Sequence, residues 1–208
     1  MRTAKTVLTV IQERGKQKKP IERVYKLLFN RELYLNAYAK LYPNNGAMTK
    51  GVTNETVDGM SIQKIDRMIE ILREEKYQWK PARREYIKKK NGKKRPLGIP
   101  VWGDKVLQEV MRQILEAYYE PQFSEHSHGF RPNRGCHTAL QEIQVWKGTR
   151  WFIEGDISQY FDTIDHKILL EILARNIHDG RFIRLVSNML EAGYLEEWKF
   201  KQTISGVP

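Results

Sequence analysis

The chain has 208 residues, of which 40% are hydrophobic and 11% aromatic, enough to bury the core of one large domain or two small ones. Its formal charge of +11 argues for an anionic partner, nucleic acid first and an acidic membrane surface second. The single cysteine, Cys136, excludes an intrachain disulfide and suits the cytoplasm, and no apolar run has the length to span a bilayer.

The charge is unevenly spread. Residues 1–20 carry six basic and one acidic side chain and residues 80–95 carry nine and one, so these two stretches hold +5 and +8 while the remaining 172 residues sum to −2. Concentration of this kind builds a phosphate-binding surface; the alternative is two solvated charge runs without a ligand.

In chain order, residues 1–20 read as a basic tail whose short apolar stretch, interrupted by Thr9, does not make a secretion signal. Pro20 then suits a first helical position, and Val24, Leu27, Leu28, Leu35 and Tyr38 recur at helical spacing, which predicts one helix with one apolar stripe. Pro43-Asn44-Asn45-Gly46 breaks it, and a loop runs to Gly59. Ser61 is the predicted N-cap of the next helix, whose stripe is Ile62, Ile65, Met68, Ile69 and Leu72.

Residues 84–98, with Asn91-Gly92 between two short segments, predict a basic β-hairpin. From Asp104 to Tyr119 the residues Val106, Leu107, Val110, Met111, Ile114, Leu115 and Tyr118 share one helical face, and Pro121 ends the run. A polar loop, SEHSHGFRPNRG, leads to a helix from His137 to Trp146, and Trp151 to Ile157 is short, apolar and flanked by polar turns, as a buried strand is. Asp162 is the predicted cap of a helix carrying Ile168, Leu169, Ile172 and Leu173, with Asp165 in its first turn. A further helix from Arg181 to Ala192 and a strand from Trp198 to Thr203 complete the pattern.

Asp156 stands at the end of the apolar Trp151 to Ile157 segment, where a carboxylate must be capped, paired or bound to a metal. On pattern alone it either caps the next helix or ligates a cation. His126, His128 and Cys136 have no common zinc-finger spacing and lack a fourth ligand, and helix capping accounts for Asp162, Asp165 and His166.

The order of pieces carries more than any one of them: a basic hairpin ending in RPLGIP, a long helix, GFRPNRG, a helix, then FIEGDISQYFDTIDH. From about Asn44 to Pro208 this order resembles the early motif blocks of group II intron reverse transcriptases, the maturases that splice and mobilise their own introns. The resemblance implies an α+β fold: helix-rich polymerase fingers with a basic β-hairpin, plus the first part of a reverse transcriptase palm. It divides the chain into a basic N-terminal segment (1–20), a fingers region (21–150) and the start of the palm (151–208).

It further implies RNA-directed DNA polymerase chemistry, with two Mg²⁺ ions activating the primer 3′-hydroxyl and holding the triphosphate. Asp156 would be the first catalytic metal-binding carboxylate and the Ile157 carbonyl a backbone ligand. Lys89 and Arg95 would grip the triphosphate of a dNTP, and Phe161 would lie under its sugar, where without the resemblance a core ring is the plainer reading. Lys88, Lys90, Lys93 and Lys94 would touch the nucleic-acid backbone, and Arg131 and Arg134 the template or nucleotide unless they are an ordinary basic turn.

The implied partners are group II intron RNA, an RNA template with its DNA primer, and dNTP, with no membrane; self-association as a homodimer is left open. The implied outcome is splicing and retrohoming. The family also carries a Tyr-X-Asp-Asp turn, and this sequence has no adjacent Asp pair, so the chain is expected to stop before that turn and to lack polymerase activity alone. The alternative is an RNA-binding splicing cofactor without polymerase chemistry.

Overall fold

Helix formation begins earlier than the basic N-terminus suggests. In the computed structural model, which describes residues 2–88, 92 and 94–206, the first element is helix α1, Ala4–Lys16. Thr3 caps it by accepting from the Thr6 N–H at 3.2 Å. Ala4, Ile11 and Gly15 are buried and Leu8 half-buried, a row spaced by three and four residues that packs on helix α4, Trp102–Tyr119. The expected basic tail is therefore a docked helix: most of its apolar residues fall on one side, Val10 excepted, and all six cations of residues 1–20 are left exposed.

The single helix expected after Pro20 is three elements. Strand β1, Ile21–Glu22, pairs in parallel with β4, Ile177–His178. A 3₁₀ turn, Val24–Phe29, follows, entered through Arg23 at φ 56°, and helix α2, Arg31–Leu41, starts from an Asn30 cap. Val24 and Leu28 thus face the core from the 3₁₀ turn, while Leu35 is exposed. Apolar spacing alone could not register the left-handed residue that separates these pieces.

Helix α3, Ile62–Arg73, starts at the predicted Ser61 cap, whose hydroxyl accepts from the Lys64 N–H at 3.2 Å. It buries Ile65, Met68, Ile69 and Leu72, whereas Ile62 at its first position is exposed. The core gathers around α4, with Val106, Leu107, Val110, Ile114 and Tyr118 fully enclosed. Tyrosine hydroxyls fasten its edges: Tyr25 donates to Leu72 O, Tyr34 to Leu28 O and Tyr118 to Lys19 O at 2.8, 2.8 and 3.0 Å. Buried Asp104 accepts from Tyr77 and from the Lys80 N–H; burial still raises its carboxyl above the usual range, against the pull of those two bonds.

The hairpin forms as predicted: β2, Ala82–Lys88, is antiparallel to β3, Lys94–Ile99. β2 also pairs in parallel with β5, Tyr194–Glu196, which turns back into β6, Lys199–Lys201, giving the sheet order β3-β2-β5-β6. The turn residues Lys89, Lys90, Asn91 and Lys93 lie outside the described residues.

Beyond α4 come α5, Cys136–Gln144, the short α6, Tyr160–Thr163, α7, His166–Ala174, and α8, Gly180–Leu190. Asp165 rather than Asp162 caps α7, accepting from the Ile168 N–H at 3.0 Å, because Asp162 is already inside α6. The expected buried strand from Trp151 to Ile157 is absent: the segment is irregular, and Trp151, Phe152, Ile153 and Ile157 are exposed, Ile153 at 94%. An apolar run becomes a strand only with a hydrogen-bonded neighbour, and among the described residues none pairs with it. Among the described residues no helix is long and apolar enough to cross a membrane. The result is a mixed helix and sheet fold.

Candidate nucleic-acid interface

Two basic surfaces stand on the fold. The first is α1 with the residues that flank it, where Arg2, Lys5, Arg14, Lys16, Lys18 and Lys19 are exposed. Only part of that charge is used internally, Lys16 pairing with Glu13 at 2.7 Å and Arg14 donating to Pro20 O at 2.9 Å. The second is the hairpin, where Lys88, Lys94 and Arg95 are all exposed. Lys89, Lys90 and Lys93, expected to share its contacts, fall outside the described residues.

The register sorts the hairpin's cations by face. Lys88 stands opposite Lys94 and Ile87 opposite Arg95; because side chains alternate along a strand, Lys88 and Lys94 share one face and Arg95 takes the other. The Arg95 face is also that of Arg83, whose guanidinium donates twice to Lys50 O, at 3.1 and 2.9 Å. Lys105 holds the same loop from below through Gly46 O and Thr49 O, and burial, helped by the Arg83 charge, lowers its ammonium from the usual lysine range. The loop from Pro43 to Gly59 is thereby tied to the base of the hairpin.

Phe161 is half in solvent, at 51% exposure, beside a cleft of about 910 Å³ that Gly98 and Pro100 of the hairpin base also line. Its ring meets Tyr160 edge-on at 5.4 Å and Phe130 at 6.4 Å. Phe130 is 98% exposed with φ 57°, an aromatic held out in a conformation that bulky residues avoid. Phe161 and the base of the hairpin thus border one cleft. Asp156 and the Ile157 carbonyl lie in the exposed, irregular stretch.

Arg131 is enclosed, its side chain 8% exposed. It donates to both Glu120 carboxylate oxygens and to Ser124 O and Ser127 O, and lies 5.4 Å over the Phe123 ring. Arg134 donates to Glu125 O. Both arginines therefore shape their own loop. Glu120, eleven residues before Arg131, has no sequence signal that marks it as the partner.

The two histidines of the same loop converge on Glu142 of α5: His126 Nδ1 on one carboxylate oxygen, His128 Nε2 on the other at 2.8 Å. The His126 bond, then that of His128, draws the Glu142 carboxyl below the usual range. Cys136 is exposed and free. Among the described residues no group of three His, Cys, Asp or Glu is placed to hold a metal.

The family described as reverse transcriptase (RNA-dependent DNA polymerase) matches residues 87–208. Over 188 residues, 89% of this chain and 31% of the relative, the sequence is 49% identical to group II intron-encoded protein LtrA of Lactococcus lactis subsp. cremoris. It is 46% identical to an uncharacterized 91 kDa protein in the cob intron of Schizosaccharomyces pombe, covering 99% of this chain and 26% of that protein. A putative COX1/OXI3 intron 1 protein of Saccharomyces cerevisiae is 40% identical over 82% of this chain and 21% of its own length. The chain spans less than a third of these relatives.

Proposed function

Because the chain belongs to the reverse transcriptase (RNA-dependent DNA polymerase) family, we propose that it is the front part of a group II intron reverse transcriptase and maturase. In this reading residues 21–150 are the fingers and 151–208 the start of the palm. The observation that carries it is the 49% identity over 89% of the chain to a protein named for its group II intron, on a fold that displays two basic surfaces.

The α1 surface and the hairpin bind intron RNA through phosphate contacts, and the hairpin with Phe161 faces the dNTP and the RNA template with its DNA primer. Lys88, Lys90, Lys93 and Lys94 contact the nucleic-acid backbone, Lys89 and Arg95 the triphosphate. Exposed cations on a folded scaffold gain affinity by releasing counterions, so binding is strong and salt-dependent. Arg131 acts on the template by setting the shape of the GFRPNRG loop, since its own donors are spent inside that loop. Arg134 stands beside it at the loop's end.

Divalent-metal phosphoryl transfer is the family's chemistry. Asp156 with the Ile157 carbonyl would give a Mg²⁺ ion two oxygen ligands, the rest coming from water and substrate phosphate, and the adjacent Asp pair of the family's Tyr-X-Asp-Asp turn does not occur in residues 1–208. Residues 1–208 are accordingly expected to bind RNA without extending a primer. The surroundings we propose are the cytoplasm, and the exposed apolar side chains from Trp151 to Ile157 favour self-association into a homodimer.

The test is RNA binding by fluorescence anisotropy after neutralising the cations of residues 1–20 and those of the hairpin separately. Each set should weaken binding and reduce the salt dependence. If neither does, the two surfaces are solvated charge and the proposal fails.

A further inference from the structure

We infer that Arg84 binds a phosphate group in the cavity between the hairpin and the loop of residues 202–206. This rests on the hairpin being a nucleic-acid-binding element, and adds a residue that charge counting in the sequence left among the generic cations.

The strand register places it. Side chains alternate along β2, so Arg84 shares a face with Lys88, and the residues opposite these two on β3 are Gly98 and Lys94. Gly98 has no side chain, so the guanidinium has space beside it. The Cζ of that guanidinium lies over the Tyr194 ring on β5, 3.9 Å from its centroid. Stacking fixes the plane of an arginine without consuming its N–H donors.

One of its donors is demonstrably unspent. Nε of Arg84 is buried without a hydrogen-bond partner, and the carboxylate that feels its charge, Glu196 of β5, is bonded to Tyr86 and Lys201 instead. The neighbouring arginine, Arg83, makes an ion pair with Glu85 and two bonds to Lys50 O, so the contrast lies within one strand. A desolvated donor left without an acceptor is costly unless something fills the place.

The cavity has a volume of about 290 Å³, and its lining includes Arg84, Gly98, Asp162, Gln202, Thr203 and Ser205. It has room for a phosphate group. Gln202 and Thr203 offer neutral donors, the Ser205 hydroxyl being spent on Asp162 O at 3.2 Å, and Arg84 is the one cation among the described lining residues, set against the one carboxylate of Asp162. The cavity adjoins Phe161 through Asp162. Phosphate is supplied there by the backbone of single-stranded RNA or by the polyphosphate of a nucleotide.

The test uses the 208-residue chain with Arg84→Ala, Arg84→Lys and Tyr194→Leu, probed with a labelled single-stranded RNA across a salt series and with inorganic tripolyphosphate by calorimetry. Arg84→Ala should weaken RNA binding about tenfold and reduce the slope of log affinity against log salt by about 0.7, the signature of one lost phosphate contact. Arg84→Lys should keep the slope, and Tyr194→Leu should keep it too while losing less affinity.

Tripolyphosphate bound by the wild type and lost in Arg84→Ala identifies a nucleotide as the source; an effect on RNA alone identifies the RNA backbone. If Arg84→Ala changes neither ligand, or if Arg84→Ala and Tyr194→Leu cause the same loss at an unchanged slope, Arg84 merely fastens β2 to β5 and the inference is overturned. A wild-type chain that does not bind RNA would sink the reading of the hairpin instead, and tripolyphosphate calorimetry would still decide Arg84.

Discussion

Substituting Gly15 by alanine distinguishes a docked α1 from a basic tail by the sign of its effect. A Cβ added at Gly15 would enter the van der Waals sphere of the Tyr118 carbonyl oxygen and stand 3.0 Å from the carbonyl carbon. Both are backbone atoms of α4, enclosed by the core, so α1 must move. Overpacking costs about 1–3 kcal/mol, and a clash with backbone, which cannot step aside, takes the upper part of that range, about 2–3 kcal/mol. Alanine's better helix propensity recovers up to about 1 kcal/mol, leaving a net loss of about 1–2 kcal/mol.

In an undocked tail only the propensity would act, and the same change would be neutral or slightly stabilising. Urea unfolding followed by circular dichroism reads the difference, with a lower midpoint at an unchanged slope expected for Gly15→Ala. Thermal unfolding should fall by about 2–8 °C for a chain of this size. A midpoint equal to or above that of the wild type would refute the packing of α1 on α4, and with it the placement of the first basic surface.

The packing and the charges set three further expectations. Phe182 is fully buried on α8, so Phe182→Ala should cost about 3–5 kcal/mol in the same urea assay; a loss under about 1 kcal/mol would mean that α8 does not anchor the core. Removing the α7 cap with Asp165→Ala should cost about 1 kcal/mol, and Asp162→Ala much less, whereas the reverse order would restore Asp162 as the cap. Burial alone would raise the carboxyl of Glu109, but Arg112, bonded at 2.7 and 2.9 Å, and then Lys40 at 3.2 Å hold it below the usual range. A depressed carboxyl stabilises the fold above its unfolded value of about 4.3, and that contribution is lost as pH falls through the folded value. Wild-type stability should therefore drop more steeply than that of Glu109→Gln between about pH 6 and pH 3. Parallel curves would contradict this.

Much of the fold is legible in the sequence where one residue pattern has one structural solution. α3 and α4 announce themselves by apolar rows at spacings of three and four, and the hairpin by Asn91-Gly92 between extended segments. Legibility ends where the outcome depends on distant chain. The row of Ala4, Leu8 and Ile11 is too thin to distinguish from a tail until α4 supplies the surface it buries against. Trp151 to Ile157 has a strand's composition, but composition does not provide a neighbouring strand. The two-residue pairing of β1 with β4 joins Ile21 to Ile177 across most of the chain, too short to have a pattern.

The candidate site divides the same way. Its cations are visible as a charge run, yet which of them share a face is set by the pairing of Lys88 with Lys94 and of Ile87 with Arg95. Arg131 reads as a free basic residue in GFRPNRG and is instead enclosed by Glu120 and two carbonyls. Arg84 is one of two adjacent arginines in the sequence; only the Tyr194 ring and the side-chain-free Gly98 distinguish it from Arg83.

Whether this chain is the RNA-binding front of an intron-encoded reverse transcriptase is tested most directly by RNA selectivity. Affinity should be measured for a structured group II intron RNA and for an unrelated structured RNA of equal length at matched salt, since counterion release alone does not distinguish them. The intron RNA should bind at least about tenfold tighter, a difference of about 1.4 kcal/mol. Equal affinities at every salt concentration would contradict that identity and leave only a generic basic scaffold.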